Sequence, residues 1–261
     1  MDLGLKGKIV AVSGASQGIG YAIALGVAAE GANVSISARG KERLDRAVKD
    51  IQARGVQALG VQCNLAAPEG CHKFIEETVA RFGGLDILVN NVGGMVPGTL
   101  ENMSEEGWRE IINRNLMSYV WTTRSAIPHL KKRKGAKILN VSGITGKQLL
   151  AGSISTTIPN SAIIGFSKLM AGELAPHGIT VNNICPGSVN TEAWGPRREA
   201  MAKVRNMTAE QVRQMFSDMT LLGRWAEPYE IADVATFLVS DRNNYMTGTT
   251  VEVCGGALRY I

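Results

Sequence analysis

Ser13-Gly14-Ala15-Ser16-Gln17-Gly18-Ile19-Gly20 joins a short apolar run, Lys8–Ser13 (KIVAVS), to a segment with helical patterning, Gly20–Glu30. Its glycines are spaced G-x-x-x-G-x-G. Glycine adopts positive φ without strain and lets backbone pass close to a ligand. The helix that follows offers unpaired N–H groups and a partial positive charge at its N-terminus. A glycine triplet alone marks only a turn. Directly after the first strand of a β-α-β unit it is where a dinucleotide's pyrophosphate docks. Gly14, Ser16, Gln17, Gly18, Ile19 and Gly20 are therefore the expected cofactor contacts.

Outward from this loop, apolar runs alternate with helix-like segments. Asn33–Ala38, a run within Val56–Cys63, Leu85–Asn90, Lys137–Val141, Thr180–Ile184 and Thr249–Val253 read as the further strands. Glu42–Arg54 reads as a helix. Continuous apolar strands separated by helices predict an α/β fold: a Rossmann-like, doubly wound, seven-stranded parallel sheet with helices on both faces. No Pro-, Gly- or Ser-rich linker divides the chain, so residues 1–261 are expected to form a single NAD(P)-binding domain. At the end of the second strand a dinucleotide fold meets the adenosine ribose. An acid there would repel a 2′-phosphate, but the residues are Ala38-Arg39-Gly40-Lys41. Arg39 suits a phosphate, so NADP(H) is expected over NAD(H).

Composition narrows the alternatives. With 45% hydrophobic and 20% charged residues the chain has the balance of a globular domain. No apolar stretch is long enough for a membrane span, and Met1–Lys8 lacks the features of a secretory signal, so a cytoplasmic location is expected. The four cysteines and three histidines fall in no metal-binding spacing. The basic run Lys131–Lys134 has no interleaved aromatics and reads as a solvated helix end rather than a nucleic-acid patch. The segment 191–222, polar and Met-rich, follows the sixth strand and is expected to act as a lid over a small-molecule substrate.

Several motifs together resemble the short-chain dehydrogenase/reductase family over nearly the whole chain. Gly14–Gly20 is similar to its cofactor loop. Cys63-Asn64-Leu65 resembles the segment beside the adenine, with Asn64 where Asp is usual. Asn90-Asn91-Val92-Gly93 resembles Asn-Asn-Ala-Gly. Asn115 stands in a segment similar to the helix that carries the family's catalytic Asn. Pro186-Gly187-Ser188-Val189-Asn190-Thr191 resembles the stretch that approaches the nicotinamide. The resemblance implies cofactor contacts at Asn64, Leu65, Asn91, Val92, Gly93, Pro186, Gly187, Val189 and Thr191, and a homodimer or homotetramer.

It also implies a departure at the chemistry. The family uses a Tyr as general acid, a Lys four positions on, and an upstream Ser. A neighbouring ammonium favours the phenolate and draws the Tyr pKa down from about 10 toward working pH. Gly165–Ala171 and the gap-free stretch to Pro186-Gly187 set the register, which puts Thr156 at the Tyr position and Asn160 at the Lys position. Val141-Ser142-Gly143 resembles the strand end that carries the Ser, placing Gly143 there. Only Asn115 survives. An aliphatic hydroxyl is a far weaker acid than a phenol, so Thr156 is no direct substitute. Ser142, Gln148, Ser153, Ser155 and Thr157 lie nearby, and Lys147 is the titratable neighbour; Glu192 and His177 are weaker candidates. Three readings stand: an oxidoreductase with an altered proton route, a redox-inactive cofactor-binding sensor or partner subunit, and a non-redox lyase or dehydratase.

Overall fold

Ile9–Val12 (β1), Ile87–Asn90 (β4) and Lys137–Val141 (β5) are buried at every position. Strands without polar alternation are stable only when both faces are covered, and they occupy the centre of the sheet. Asn33–Ala38 (β2) and Ala58–Gln62 (β3) complete one side, Thr180–Pro186 (β6) and Thr250–Val253 (β7) the other. The order is β3-β2-β1-β4-β5-β6-β7, parallel throughout. The computed structural model describes residues 2–96, 98–150 and 153–259, apart from the Val204 side chain.

The chain leaves β1 toward β2 and β3, then returns to place β4 on β1's other side. That reversal is the topological switch point of a doubly wound sheet, where a crevice opens beyond the strands' C-terminal ends. Gly18–Ala29 (α1) leads directly away from it. One apolar cluster lies between the sheet and α1, Lys41–Gln52 (α2) and Pro228–Val239 (α9). A second lies on the other face with Pro68–Phe82 (α3), Ser118–Leu130 (α5) and Ile154–Leu174 (α6). The two clusters sandwich one sheet, as expected of a single Rossmann-like domain.

Three local features depart from the expected pattern. Pro159 suits a helix start, yet α6 begins five residues earlier and runs through it. A proline there withholds the N–H that would bond the carbonyl of Ser155, and α6 continues because its flank packs on the short Ile144–Gly146 turn and on β6. Glu105–Ile112 (α4) does not pass straight into α5; Asn113–Met117 forms a π-helical turn between them. Lys137, which opens β5, is 3% exposed, and its Nζ donates to the Asn243 carbonyl at 2.7 Å. Burial holds its ammonium below the usual lysine range, with Asp241 offsetting part of the shift and Lys8 adding to it.

Residues 191–222 contain two helices, Trp194–Arg205 (α7) and Ala209–Asp218 (α8). Thr208 and Gln211 cap α8 reciprocally, a common start signal. Edge-to-face packing of Trp194 on Phe216 and Trp225 (centroids 5.2 and 4.7 Å apart) ties the two helices to the segment entering α9. Among the described residues no helix is long and apolar enough to cross a membrane, and no group of His, Cys, Asp and Glu could hold a metal ion.

Candidate active site

The loop after β1 is shaped by its glycines. Gly14 and Gly18 have φ of +62° and +63°, where a side chain would be strained. At Gly20 the limit is space: a Cβ there would collide with Asn91 Nδ2 and stand 2.8 Å from the Gly14 carbonyl oxygen. Asn91 Nδ2 donates to the carbonyls of Ser13 (3.2 Å) and Gly14 (3.0 Å), and Asn91 N donates to Ser13 Oγ at 2.9 Å. The end of β4 thus anchors the turn. Gln17 caps α1 without a side-chain hydrogen bond, and no acid stands in the first turn. The leading N–H groups of α1 therefore face the crevice with their dipole uncompensated.

A cleft of about 600 Å³ runs from this loop across the sheet ends. Ser16, Gln17, Gly18 and Ile19 line one part, and Arg39, Asn64 and Leu65 its outer end. Arg39 is exposed, and its side chain makes no hydrogen bond or ion pair among the described residues. Its backbone carbonyl accepts from Gln62 Nε2 at 3.0 Å. Asn91, Val92 and Gly93 form the floor.

At the far end, Asn115, Ser142, Thr156 and Asn160 line the same cleft. Asn115 is buried in the π-helical turn and donates from Nδ2 to the Gly94 carbonyl at 2.8 Å. Ser142 Oγ accepts from Asn183 Nδ2 at 2.8 Å. Asn160 Nδ2 donates to Thr145 Oγ1 at 2.8 Å and would stand 3.0 Å from a Cβ on Gly143, so Gly143 and Asn160 face each other. Thr156 Oγ1 donates to the Ser153 carbonyl at 3.0 Å, one turn earlier in α6.

Some expected residues stand elsewhere. Lys147 is paired with Glu252 of β7 and is not part of the cleft wall. Gly20 presses on Asn91 rather than the cleft. Pro186 is the last residue of β6, and Gly187 N donates to the Val253 carbonyl at 3.0 Å. Val189 is 2% exposed and packs into the core beside a bridge to Ala226. Of that stretch only Thr191 reaches the wall, over Gly18. Strand pairing with β7 carries 186–189 inward before the chain turns back out.

Other wall residues were not anticipated as site residues. Tyr119 is fully buried, and its hydroxyl donates to the Val141 carbonyl at 2.7 Å. Burial alone pushes this phenol far above its ordinary pKa, with no cation to offset it. Arg114 and Glu110 pair at 2.7 Å along the wall. Arg197 enters from α7. Arg114 adjoins Asn115 in sequence, a signal that was available; the approach of Arg197 is tertiary.

The profile of a family described as enoyl-(acyl carrier protein) reductase matches residues 14–257. The chain is 32% identical over 250 residues to a 3-oxoacyl-(acyl-carrier-protein) reductase of Staphylococcus epidermidis, covering 95% of this chain and 98% of that protein. It is 34% identical over 261 residues to the granaticin polyketide synthase putative ketoacyl reductase 1 of Streptomyces violaceoruber, covering 98% and 96%. Among solved structures it is similar to L-sorbose reductase of Gluconobacter frateurii complexed with NADPH and L-sorbose. That match has a TM-score of 0.95 at 33% identity and covers 100% of both chains. A single-substitution variant of actinorhodin polyketide ketoreductase with NADPH is also similar, with a TM-score of 0.92 at 29% identity over 97% of this chain and 98% of that one.

Proposed function

Since the chain belongs to the short-chain dehydrogenase/reductase family and is an oxidoreductase of that type, we propose that it binds NADP(H) and acts on a small carbonyl or alcohol substrate by an altered proton route. One observation carries this reading. A single cleft of about 600 Å³ has the Gly14–Ile19 loop and Arg39 at one end and Asn115, Ser142, Thr156 and Asn160 at the other. That volume lies within the range of small-ligand sites.

The residues fit the cofactor. The close packing of Gly14 on Val92 and of Gly20 on Asn91, just past β4, and the uncapped start of α1 make a cradle for a pyrophosphate. Arg39, exposed and without a partner among the described residues, suits the 2′-phosphate that distinguishes NADP from NAD. NADPH complexes among the similar structures support the same choice. When bound, the nicotinamide supplies or accepts the hydride.

Gly143, Thr156 and Asn160 take the positions of the family's Ser, Tyr and Lys. The mutual approach of Gly143 and Asn160, with Thr156 one turn before, supports this register. Thr156 has its proton directed at the Ser153 carbonyl, and Asn160 carries no charge. Neither can act as the lowered-pKa acid of a Tyr–Lys pair. Lys147 is held by Glu252 outside the cleft wall. Water held by Ser142 and Asn160 is the proton source in this reading, with Asn115 fixing the floor. The Trp194–Asp218 helices act as a substrate lid, since Thr191, Glu192, Ala193 and Arg197 border the cleft. The chain assembles as a homodimer or homotetramer, consistent with exposed Leu169 and Tyr245.

A panel of aldehydes, ketones and alcohols assayed by NADPH absorbance tests the reading. Slow, substrate-dependent oxidation is expected. No turnover across the panel while NADPH binds would sink it and favour a redox-inactive protein; product formation without absorbance change would point to a lyase. The triple substitution Gly143→Ser, Thr156→Tyr, Asn160→Lys is expected to raise turnover. Loss of NADPH binding in that variant would count against the register.

A further inference from the structure

Arg114 reaches the cleft from the π-helical turn. Its Nη1 pairs with Glu110 at 2.7 Å, and its Nε lies 3.5 Å from Asn115 Oδ1. The guanidinium lies flat against Gly94, where a Cβ would come within 2.5 Å of it. Its Nη2 is buried with no hydrogen-bond partner among the described residues. A buried guanidinium N–H left unpaired is expensive.

Arg197 enters the same cleft from α7. Its guanidinium stands 5.9 Å from the centroid of the Trp194 ring, and it makes no hydrogen bond or ion pair among the described residues. The next residue, Arg198, lies 5.6 Å from the Trp225 ring centroid with its Nε buried and unpaired. The aromatic cluster therefore orients the cationic edge of α7 inward.

Burial holds the guanidiniums of both Arg114 and Arg197 below the ordinary arginine range. Glu110 draws Arg114 back up, Arg39 presses it down, and the charge of Arg114 acts on Arg197. Glu110 offsets the charge of Arg114 but not that of Arg197, so the two guanidiniums leave a net positive charge. Glu192 is exposed and lines both this cleft and a smaller hollow beside Tyr21 and Asp50. Two like charges turned into one partly desolvated space call for an anion.

We propose that Arg114 and Arg197 bind an anionic group of the substrate, so that the carbonyl or alcohol compound carries a carboxylate. A carboxylate presents two acceptor oxygens to forked N–H donors. Arg114 supplies a rigid wall donor and Arg197 a donor on the lid, so substrate charge draws α7 onto the cleft. The word substrate rests on the oxidoreductase reading; the anion rests on the cleft alone.

The test is binding of malonate, a small dicarboxylate, to the full chain saturated with NADPH, followed by calorimetry and tryptophan fluorescence at low salt. Neutral malonamide is the control. Malonate is expected to bind and malonamide is not. Arg114→Met and Arg197→Met should each weaken malonate at least tenfold with the NADPH Kd changed less than twofold. Glu110→Gln should tighten it. Arg197 makes no hydrogen bond among the described residues, so its variant keeps the test open if Arg114→Met does not fold. No malonate binding, or equal binding by both variants, overturns the proposal. So does a tenfold rise in NADPH Kd in Arg114→Met with malonate competing against NADPH, because the anion would then be a cofactor phosphate. A silent carbonyl panel with intact malonate binding would remove the oxidoreductase reading and leave the subsite standing.

Discussion

Tyr119→Phe separates a structural phenol from a replacement acid. Tyr119 is the one tyrosine in the cleft wall among the described residues, and a scan for a proton donor would settle on it. Its hydroxyl donates to Val141 at 2.7 Å inside the protein, and burial raises its pKa far above the phenol range. A group so shifted gives up its proton poorly at neutral pH. Removing the hydroxyl leaves a buried carbonyl short of a donor, which costs about 1–3 kcal/mol. For a domain near this size each kcal/mol lowers Tm by about 2–4 °C, so a drop of roughly 2–12 °C is expected. The assays are differential scanning fluorimetry and steady-state turnover of NADPH below the transition. Turnover should stay within about twofold. An unchanged Tm with kcat down by about 100-fold or more at constant KM, the size of a lost general acid, would refute the structural role.

Further outcomes follow from other parts of the molecule. Arg39→Glu should weaken NADPH at least tenfold and NADH less than twofold in fluorescence titrations; equal losses would detach Arg39 from the 2′-phosphate. Gly20→Ala, whose new Cβ meets Asn91 and the Gly14 carbonyl, should cost about 1–3 kcal/mol by urea unfolding and abolish NADPH binding. Burial raises Cys185 from its ordinary 9.0 to about 11. Its folded pKa lies above its unfolded one, so the stability it confers is complete below pH 9 and is lost as pH rises toward 11. Cys185→Ala should flatten the decline over that window by about 1.4 kcal/mol per pH unit, read from urea midpoints; an unchanged slope would show the thiol to be solvated. Light scattering should give two or four chains per particle, and a monomer at micromolar concentration would contradict that assembly.

The sheet was legible because buried parallel strands cannot hide. β2 and β5 fall on Asn33–Ala38 and Lys137–Val141 as read, since a glycine stands two positions beyond each end of both runs. The glycine loop was legible for a related reason, as its backbone demands left few residue choices. Helix ends were less so. A proline such as Pro159 favours a helix start, but α6 begins earlier because packing on the sheet outweighs one missing hydrogen bond. The inward path of Pro186–Val189 depends on pairing with β7, a partner far along the chain. The guanidinium pair was illegible for the same reason: Arg114 and Arg197 stand far apart in the chain, and only the packing of α7 brings both to one cleft wall.

The π-helical turn Asn113–Met117 sets a phase between two rods. α4 and α5 run almost end to end, and the wider turn inserts one extra position where they meet. Successive residues of an α-helix are about 100° apart around the axis. A π turn rotates less per residue, so the wide turn absorbs its extra position and leaves α4 and α5 nearly in phase. Deleting one residue within 113–117 would let the two helices fuse into a regular rod with the buried face of α5 still on the second core cluster. The change would fall on the bulge itself, which carries Arg114 and Asn115 on the cleft wall. The turn thus lets the site be altered without the core: a shortened chain would fold and keep its helices, yet lose the two side chains that the bulge presents.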